Sequence, residues 1–596
     1  MGGIWASISG KISQSADGKT QVRNRGDGEI VINRTDSNGL FQTSSLVSLP
    51  PDYEKTHAIR TSGEESEEPP RFSEQSSKPP SYHTTQRLLK ARHIQLIGIG
   101  GTIGTVLFVQ IGAALVKGGP ASLFLGFTLW CIPILMITMT TAEMVTYLPI
   151  SSPFIRFAGR YVDESFEVMA GWNFFLLQAV QVPFEITAVN IILHFWVDGY
   201  SVAIPLVVQC VLYAIINVFA VGLYGETEFW LSLGKLLLAV GVILFTFITM
   251  CGGNPQHDAY GFRYWNNPGA FAEYMDTGSW GRFLGFFACL VQAAFSIAGP
   301  EYVSMAAGEA VNPRVVMPKA YKAVLYRLSF FFILGALAVG IIVPYNDPEL
   351  LDAINSGKPG AAASPYVIGM QRLNIKVLPH IMNGLVLTSA FSAGNSFTYC
   401  ASRTLYGLAL EGYAPRIFAK CTKQGVPIFA VIVVLCFGLL SFLQLGNTAQ
   451  VVLNWLVNIV TASQLINFCI LCSTYLRFFY GLRAQGISRD SLPFKSFWQP
   501  GCAWVGLTCA GVMLLLSGWT VFVNGHWSTA TFLFSYIMIP IDVVIFIAWK
   551  LIKRTKFKKL TEIDFLTGKK EIDEYTEDYT EVPPTNIFQK IGRWLF

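Results

Sequence analysis

Apolar runs of roughly 20 residues, the length a helix needs to cross a bilayer, recur along this chain from residue 94 to residue 549. Twelve spans are predicted, at about 94–116, 121–143, 166–193, 202–222, 229–251, 283–305, 324–343, 378–402, 427–445, 451–477, 503–523 and 530–549. Residues 1–86 carry Ser, Thr, Pro, Glu and Gly without apolar periodicity and are predicted to be a disordered tail. Residues 551–596 are a second polar tail. The pattern therefore predicts an all-α polytopic membrane protein, with a permeation-type domain over residues 87–550 between two tails.

Two spans depart from a continuous helix. The first contains Ile97-Gly98-Ile99-Gly100-Gly101-Thr102-Ile103-Gly104-Thr105, and each glycine in a helix costs about 1 kcal/mol relative to Ala. Within a bilayer, freed backbone groups are tolerated only where protein or a cavity surrounds them, so the stretch is a candidate ligand site built from backbone amides and carbonyls. Close packing of small residues, which Gly100 and Gly104 also satisfy, is the competing account. Span 6 supplies the counterpart, Phe295-Ser296-Ile297-Ala298-Gly299-Pro300-Glu301, where Pro300 removes a helix hydrogen bond. Spans 1 and 6 hold the same place in two successive five-span halves. An odd number of spans per half gives the halves opposite orientation, which predicts a 5+5 inverted-repeat core with broken helices 1 and 6 around a midplane site.

Composition agrees and adds sidedness. Of the 596 residues, 52% are hydrophobic and 14% charged, whereas a soluble chain carries about 25% charged residues. Arg87, Lys90 and Arg92 precede span 1, and Lys550, Lys553, Arg554, Lys556, Lys558 and Lys559 follow span 12. Loops on that side also hold more Lys and Arg than the opposite loops, so both termini are expected in the cytoplasm. The net charge of +5 is spread without a basic stripe, which argues against a nucleic-acid partner. The 11 cysteines are scattered, and Cys469 and Cys472 sit on an apolar helix as packing residues, so no metal and no cofactor is expected. No nucleophile–base or metal constellation is found in the loops, so no catalytic residue and no enzyme is expected.

The N-terminal tail carries Pro50-Pro51-Asp52-Tyr53 and Pro79-Pro80-Ser81-Tyr82. Both fit the Pro-Pro-x-Tyr ligand of WW domains, with Pro50, Pro51, Tyr53, Pro79, Pro80 and Tyr82 as its anchors. A recruited ubiquitin ligase carrying such a domain would reach Lys55, Lys78 and Lys90.

Several dispersed motifs resemble those of the fungal amino-acid permeases of the amino acid–polyamine–organocation superfamily. They include residues 92–108, Ala142-Glu143-Met144, Gly171-Trp172-Asn173, Pro183-Phe184-Glu185, Phe229-Trp230 with Lys235, Ala307-Gly308-Glu309, Pro318-Lys319-Ala320, Ala401-Ser402-Arg403-Thr404-Leu405-Tyr406 and Gly412-Tyr413-Ala414-Pro415. The resemblance spans nearly all of residues 87–550. It implies a LeuT-like ten-helix core plus two added helices, moving substrate together with protons at the plasma membrane by alternating access. It also implies that the substrate carboxylate rests on amides of Gly100, Gly101, Thr102, Ile103 and Gly104, in keeping with the positive end of a half-helix. The substrate amine would meet carbonyls around Phe295, Ser296, Ala298 and Gly299, with Phe295 as an aromatic lid.

Charged and polar residues inside spans are costly, so each carries a structural and a functional reading. Lys235 either snorkels to the interface or, as the resemblance implies, replaces a sodium ion and titrates during transport. Glu301 either accepts a proton or caps freed amides. Glu185 faces the cavity or bonds a neighbouring helix. Asn395, in Ser392-Ala393-Gly394-Asn395-Ser396, either packs or lines the cavity beside span 1. Glu143 and Asp542 are expected to be structural. Val106, Gln110, Ile297 and Pro300 depart from the family pattern and are similar to a divergent branch linked with carnitine and polyamine transport. The expected function is proton-coupled import of amino acids. Carnitine or polyamine transport by the same fold, or a permease-like nutrient sensor without bulk transport, are the alternatives. Expected partners are the small-molecule substrate, protons, membrane lipid and the WW-domain ligase.

Overall fold

The computed structural model describes residues 20–25, 29–35, 41–48, 94 and 106–579, apart from 198, 220, 299, 306, 356–363, 423–424 and 447–448. The chain divides into two units, Met1–Pro80 and Ser81–Phe596.

In the first unit, β1 (Thr20–Arg25), β2 (Glu29–Thr35) and β3 (Phe41–Ser48) form an antiparallel sheet in the order β1-β2-β3. The register pairs Val22 with Ile32 and Ile30 with Val47. The strands are rich in Val, Ile and Thr, and the intervening Gly26-Asp27-Gly28 and Asn38-Gly39 are hairpin-turn sequences. Both Pro-Pro-x-Tyr anchors lie outside the described residues.

The second unit is helical. After a π-helical turn at Val106–Gln110, α1 (Ile111–Tyr147) is two helices joined at Gly119, whose φ of 77° lies in the left-handed region. A side chain there is excluded twice over, because a Cβ would also sit 2.7 Å from the Ala272 nitrogen. Ala121 N–H donates to the Ala270 carbonyl and Ala272 N–H to the Gly118 carbonyl, each at 2.9 Å, pinning the loop to this turn.

Next come α2 (Pro153–Tyr161), α3 (Glu164–Leu193), α4 (Ala203–Phe219) and α5 (Val221–Met250). The helix α6 (Gly278–Ser296) stops before α7 (Pro300–Met305). The chain continues through α8 (Pro313–Arg327) and a π-helical turn, Leu328–Ile333, into α9 (Leu334–Ile342). Then follow α10 (Leu378–Leu410), α11 (Ile428–Gly438), α12 (Ala449–Ala484), α13 (Gly501–Leu516), α14 (Thr529–Tyr536) and α15 (Met538–Lys553). Among the described residues, six helices are long and apolar enough to cross a membrane, or seven if the bent pair α14 and α15 is one span. Three shorter apolar helices accompany them. The helices α3, α10 and α12 form the centre, α3 packing against both of the others.

The segment after α15 is folded onto the bundle, where the sequence suggested only a polar tail. Arg554 turns the chain in the left-handed region. Lys558 N–H then donates to the Val162 carbonyl at 3.0 Å. Arg160 donates to the carbonyls of Asp564 (2.6 Å) and Thr567 (2.7 Å). Phe565 is buried and stacks 5.7 Å from Tyr161. Ile572 of the final helix, α16 (Lys569–Asp578), is also buried, and Arg314 pairs with Asp573 beside it.

Candidate functional site

The break between α6 and α7 lies where the Gly-Pro pair predicts it. Ile297 leaves the helix with φ −102° and ψ 95°, its N–H still donating to the Ala293 carbonyl at 2.9 Å. The Ser296 carbonyl would need an amide at residue 300 to continue the ladder. Pro300 has none, so this carbonyl stands at the negative end of α6 without a helical donor. The Ser296 hydroxyl is turned back along the helix and donates to the Gln292 carbonyl at 2.7 Å. The residues on either side of the break meet one helix, α3. Before it, the Phe295 ring packs edge-on against Phe184 at 5.6 Å. After it, the Tyr302 hydroxyl accepts from Gln178 Nε2 at 3.2 Å and donates to Gln181 Oε1 at 3.3 Å. Ala298 packs in the cluster that contains Tyr302, Ala393 and Phe397.

Behind Phe184 on the same helix, Glu185 is 2% exposed. Its carboxylate and that of Glu228 both act electrostatically on the Lys235 ammonium. Lys235 is itself 2% exposed. Glu228, Ser232 and Lys235 recur at i, i+4 and i+7 and share one stripe of α5. Glu228 is held loosely, accepting from Ser232 Oγ at 3.3 Å and from Ser392 Oγ of α10 at 2.9 Å.

Asn395 is in the same region, accepting from Asn217 Nδ2 at 2.8 Å. One residue before it, Gly394 admits α3 and α4: a Cβ there would lie 2.2 Å from the Tyr213 hydroxyl and 3.2 Å from Glu185 Cβ. Glu301 is fully buried on another side, where its Oε1 accepts from Gln464 Nε2 of α12 at 3.0 Å. The structure thus sets Phe295 against α3, Glu185 on α3, Lys235 on α5, Asn395 against Asn217 of α4 and Glu301 against α12. Gly100, Gly101, Thr102, Ile103, Gly104 and Gly299 lie outside the described residues.

The amino acid permease family profile matches residues 93–562, most of the chain. The chain belongs to the amino acid permease family. It is 54% identical over 500 residues to the general amino acid permease AGP2 of Saccharomyces cerevisiae, across 82% of this chain and 84% of that protein. It is 39% identical over 518 residues to the proline-specific permease of Emericella nidulans, across 86% of this chain and 94% of the relative. A probable proline-specific permease, put4 of Schizosaccharomyces pombe, is 41% identical over 500 residues, across 83% and 90%. Among solved structures, a manganese transporter of Eremococcus coleocola is similar at a TM-score of 0.48 and 11% identity, covering 80% of this chain and 98% of that one. With its apolar helices, this permease is a multi-pass membrane protein whose relatives move small molecules.

Three residues of this permease's site escaped sequence reasoning. Glu228 lies one residue before the predicted span 5, so a window for apolar runs passes it by, yet its i, i+4, i+7 relation to Ser232 and Lys235 was available. Gln178 and Gln181 recur with Glu185 at i, i+3 and i+7 on an otherwise apolar helix, a polar face that marks the side opposite the break.

Proposed function

We propose that this permease is a plasma-membrane importer of amino acids that couples uptake to protons by alternating access, with twelve crossings, an inverted-repeat core and both termini in the cytoplasm. The observation that supports it best is the helix end at Ser296, whose Phe295 packs on Phe184 of α3, one residue before the buried Glu185 that acts electrostatically on Lys235. The substrate amine approaches the unpaired end of α6, where the helix dipole is negative. The carboxylate is assigned to the backbone amides of Gly100 to Gly104, with Asn395 beside the cavity. Substrate entry presses on Phe295 and Phe184, and movement of α3 changes the surroundings of Glu185. Protonation of Glu185 or Glu228 then accompanies the conformational change. Glu301 is assigned a supporting role, tying α7 to α12 through Gln464.

Uptake of radiolabelled amino acids in a permease-deficient fungal cell tests this. Accumulation that collapses with a protonophore is expected, and Gly101→Leu should abolish it without altering membrane delivery. Uptake confined to carnitine or spermidine would replace the amino-acid assignment. No uptake of any of these would leave a sensor. The two Pro-Pro-x-Tyr segments are proposed as a docking site for a WW-domain ubiquitin ligase, so replacing Tyr53 and Tyr82 with Ala should slow endocytosis.

A further inference from the structure

A cavity of about 360 Å³ opens at the end of the bundle that carries the loops around residues 274 and 520, and reaches down to Phe295. Its size is in the range of small-molecule pockets. Its polar wall is one-sided in charge. Lys117 and His526 line it, with Gln292 and, on α12, Asn454, Asn458 and Thr461. No Asp or Glu lines it among the described residues. The nearest loop acids are engaged elsewhere: Glu273 pairs with Arg282 at 3.5 Å, and Asp276 accepts from the Thr277 amide at 2.8 Å. Lys117 pairs with no carboxylate among the described residues and sits 5.7 Å from the Tyr274 ring centre. Asn454, Asn458 and Thr461 recur at i, i+4 and i+7, so they present one polar stripe along the cavity's depth.

We infer that this cavity is an outer vestibule that binds carboxylate-bearing zwitterions ahead of the central site, with Lys117 taking the carboxylate. The assignment rests on the proposed direction of import, which makes this end extracellular. A lone ammonium in a concave, partly dehydrated wall concentrates anions and repels free cations. The aromatic rings of Tyr274, Trp455 and Trp519 face the remainder of the solute. The amide and hydroxyl stripe on α12 leads toward Phe295, which forms the floor two residues before the break. Selection by the carboxylate then happens before the solute reaches the broken helix. A polyamine, having no carboxylate, gains nothing here.

Trp455 and Trp519 give a readout that does not depend on transport. The purified full-length protein in detergent is titrated with L-proline and with L-prolinamide while intrinsic fluorescence is followed. L-proline is expected to change the signal saturably and the amide is not. Lys117→Gln should raise the apparent Kd for L-proline about tenfold, the loss of one charge-assisted hydrogen bond. Trp455→Phe should remove most of the signal, since this ring lines the cavity. Equal responses to acid and amide, no response to either, or an unchanged Kd in Lys117→Gln would each overturn the vestibule. Fluorescence binding without uptake would leave the vestibule standing and sink the transport reading. Uptake without Lys117-dependent binding would do the reverse.

Discussion

Two buried carboxylates in this permease, Glu143 and Glu228, are held in opposite ways. Glu143 is fully buried on α1, and its two oxygens accept five hydrogen bonds. Oε1 takes Tyr475 Oη and Arg489 Nε, both at 2.9 Å. Oε2 takes Arg489 Nη2 at 2.7 Å and both the amide and the hydroxyl of Ser496 at 2.9 Å. Its charge is balanced in place by a bidentate guanidinium, an arrangement that also fixes orientation. Glu228 has two serine hydroxyls, one of them at 3.3 Å, and shares a single ammonium with Glu185. The first carboxylate fastens the loop after α12 to α1. The second accepts from hydroxyls that can rotate. A buried charge fully matched by donors serves architecture, and Glu228 is the one to which the proposed coupling assigns proton exchange.

The widest separation between the two sites is expected from loss of the clamp. Glu143→Ala leaves Arg489 facing a buried, unpaired region and should cost about 3–5 kcal/mol, the usual penalty for removing one member of a buried pair. The expected outcome is a lowered Tm in detergent and poor delivery to the cell surface. Glu228→Gln should behave differently. The substitution removes one carboxylate and leaves Lys235 opposite Glu185. The Tm should hold or rise, while proton-driven accumulation falls roughly tenfold, a change of about 1.4 kcal/mol in the coupling. Counterflow exchange of internal for external substrate should survive. If Glu228→Gln lowered Tm as Glu143→Ala is expected to and left accumulation unchanged, the two sites would be the same kind of structural pair.

A smaller effect tests whether the helix seam beside the cluster matters. Gly394→Ala would push a methyl group to within 2.2 Å of the Tyr213 hydroxyl, so α10 must shift away from α3 and α4. Overpacking of this sort costs about 1–3 kcal/mol. Uptake should fall more than Tm predicts, because the same shift moves Glu185, whose Cβ would be 3.2 Å from the new atom. Comparing uptake with surface abundance and Tm separates the two contributions.

The contrast also explains what the sequence could convey. The apolar runs and the Gly299-Pro300 pair are local signals, and the helix end at Ser296 follows from Pro300 having no N–H. Lys235 was conspicuous because a lysine inside an apolar run is costly. Glu228 was not, because at the edge of that run it reads as an interfacial acid until its helical stripe is drawn. The identity of a donor more than 150 residues away, Gln464 for Glu301 or Arg489 for Glu143, depends on packing and leaves no trace in spacing. The folded segment after α15 was hidden for a related reason. Ile563, Phe565 and Ile572 are three isolated apolar residues among charges, and only the face offered by Tyr161 and Phe478 makes them a core.

The smallest expected effects come from the serines, and they compare the two carboxylates with the least disturbance. Ser496→Ala removes one of five donors to Glu143. The Ser496 amide remains on the same oxygen at 2.9 Å, so the loss should fall at or below about 1 kcal/mol, with transport unchanged. Ser392→Ala removes the shorter of the two hydroxyl contacts to Glu228, leaving Ser232 at 3.3 Å. Its cost in Tm should be just as modest, because Ser232 still donates to the carboxylate, and under the proposed coupling Glu228 is a group that exchanges the proton. The missing bond should therefore emerge in transport, as an altered pH profile of uptake at unchanged surface abundance. Measuring both variants for Tm and for uptake across pH 4 to 7 decides the matter. A pH profile unmoved in Ser392→Ala would mean that Glu228 keeps one protonation state throughout the cycle, and the proton would have to be carried by Glu185 alone.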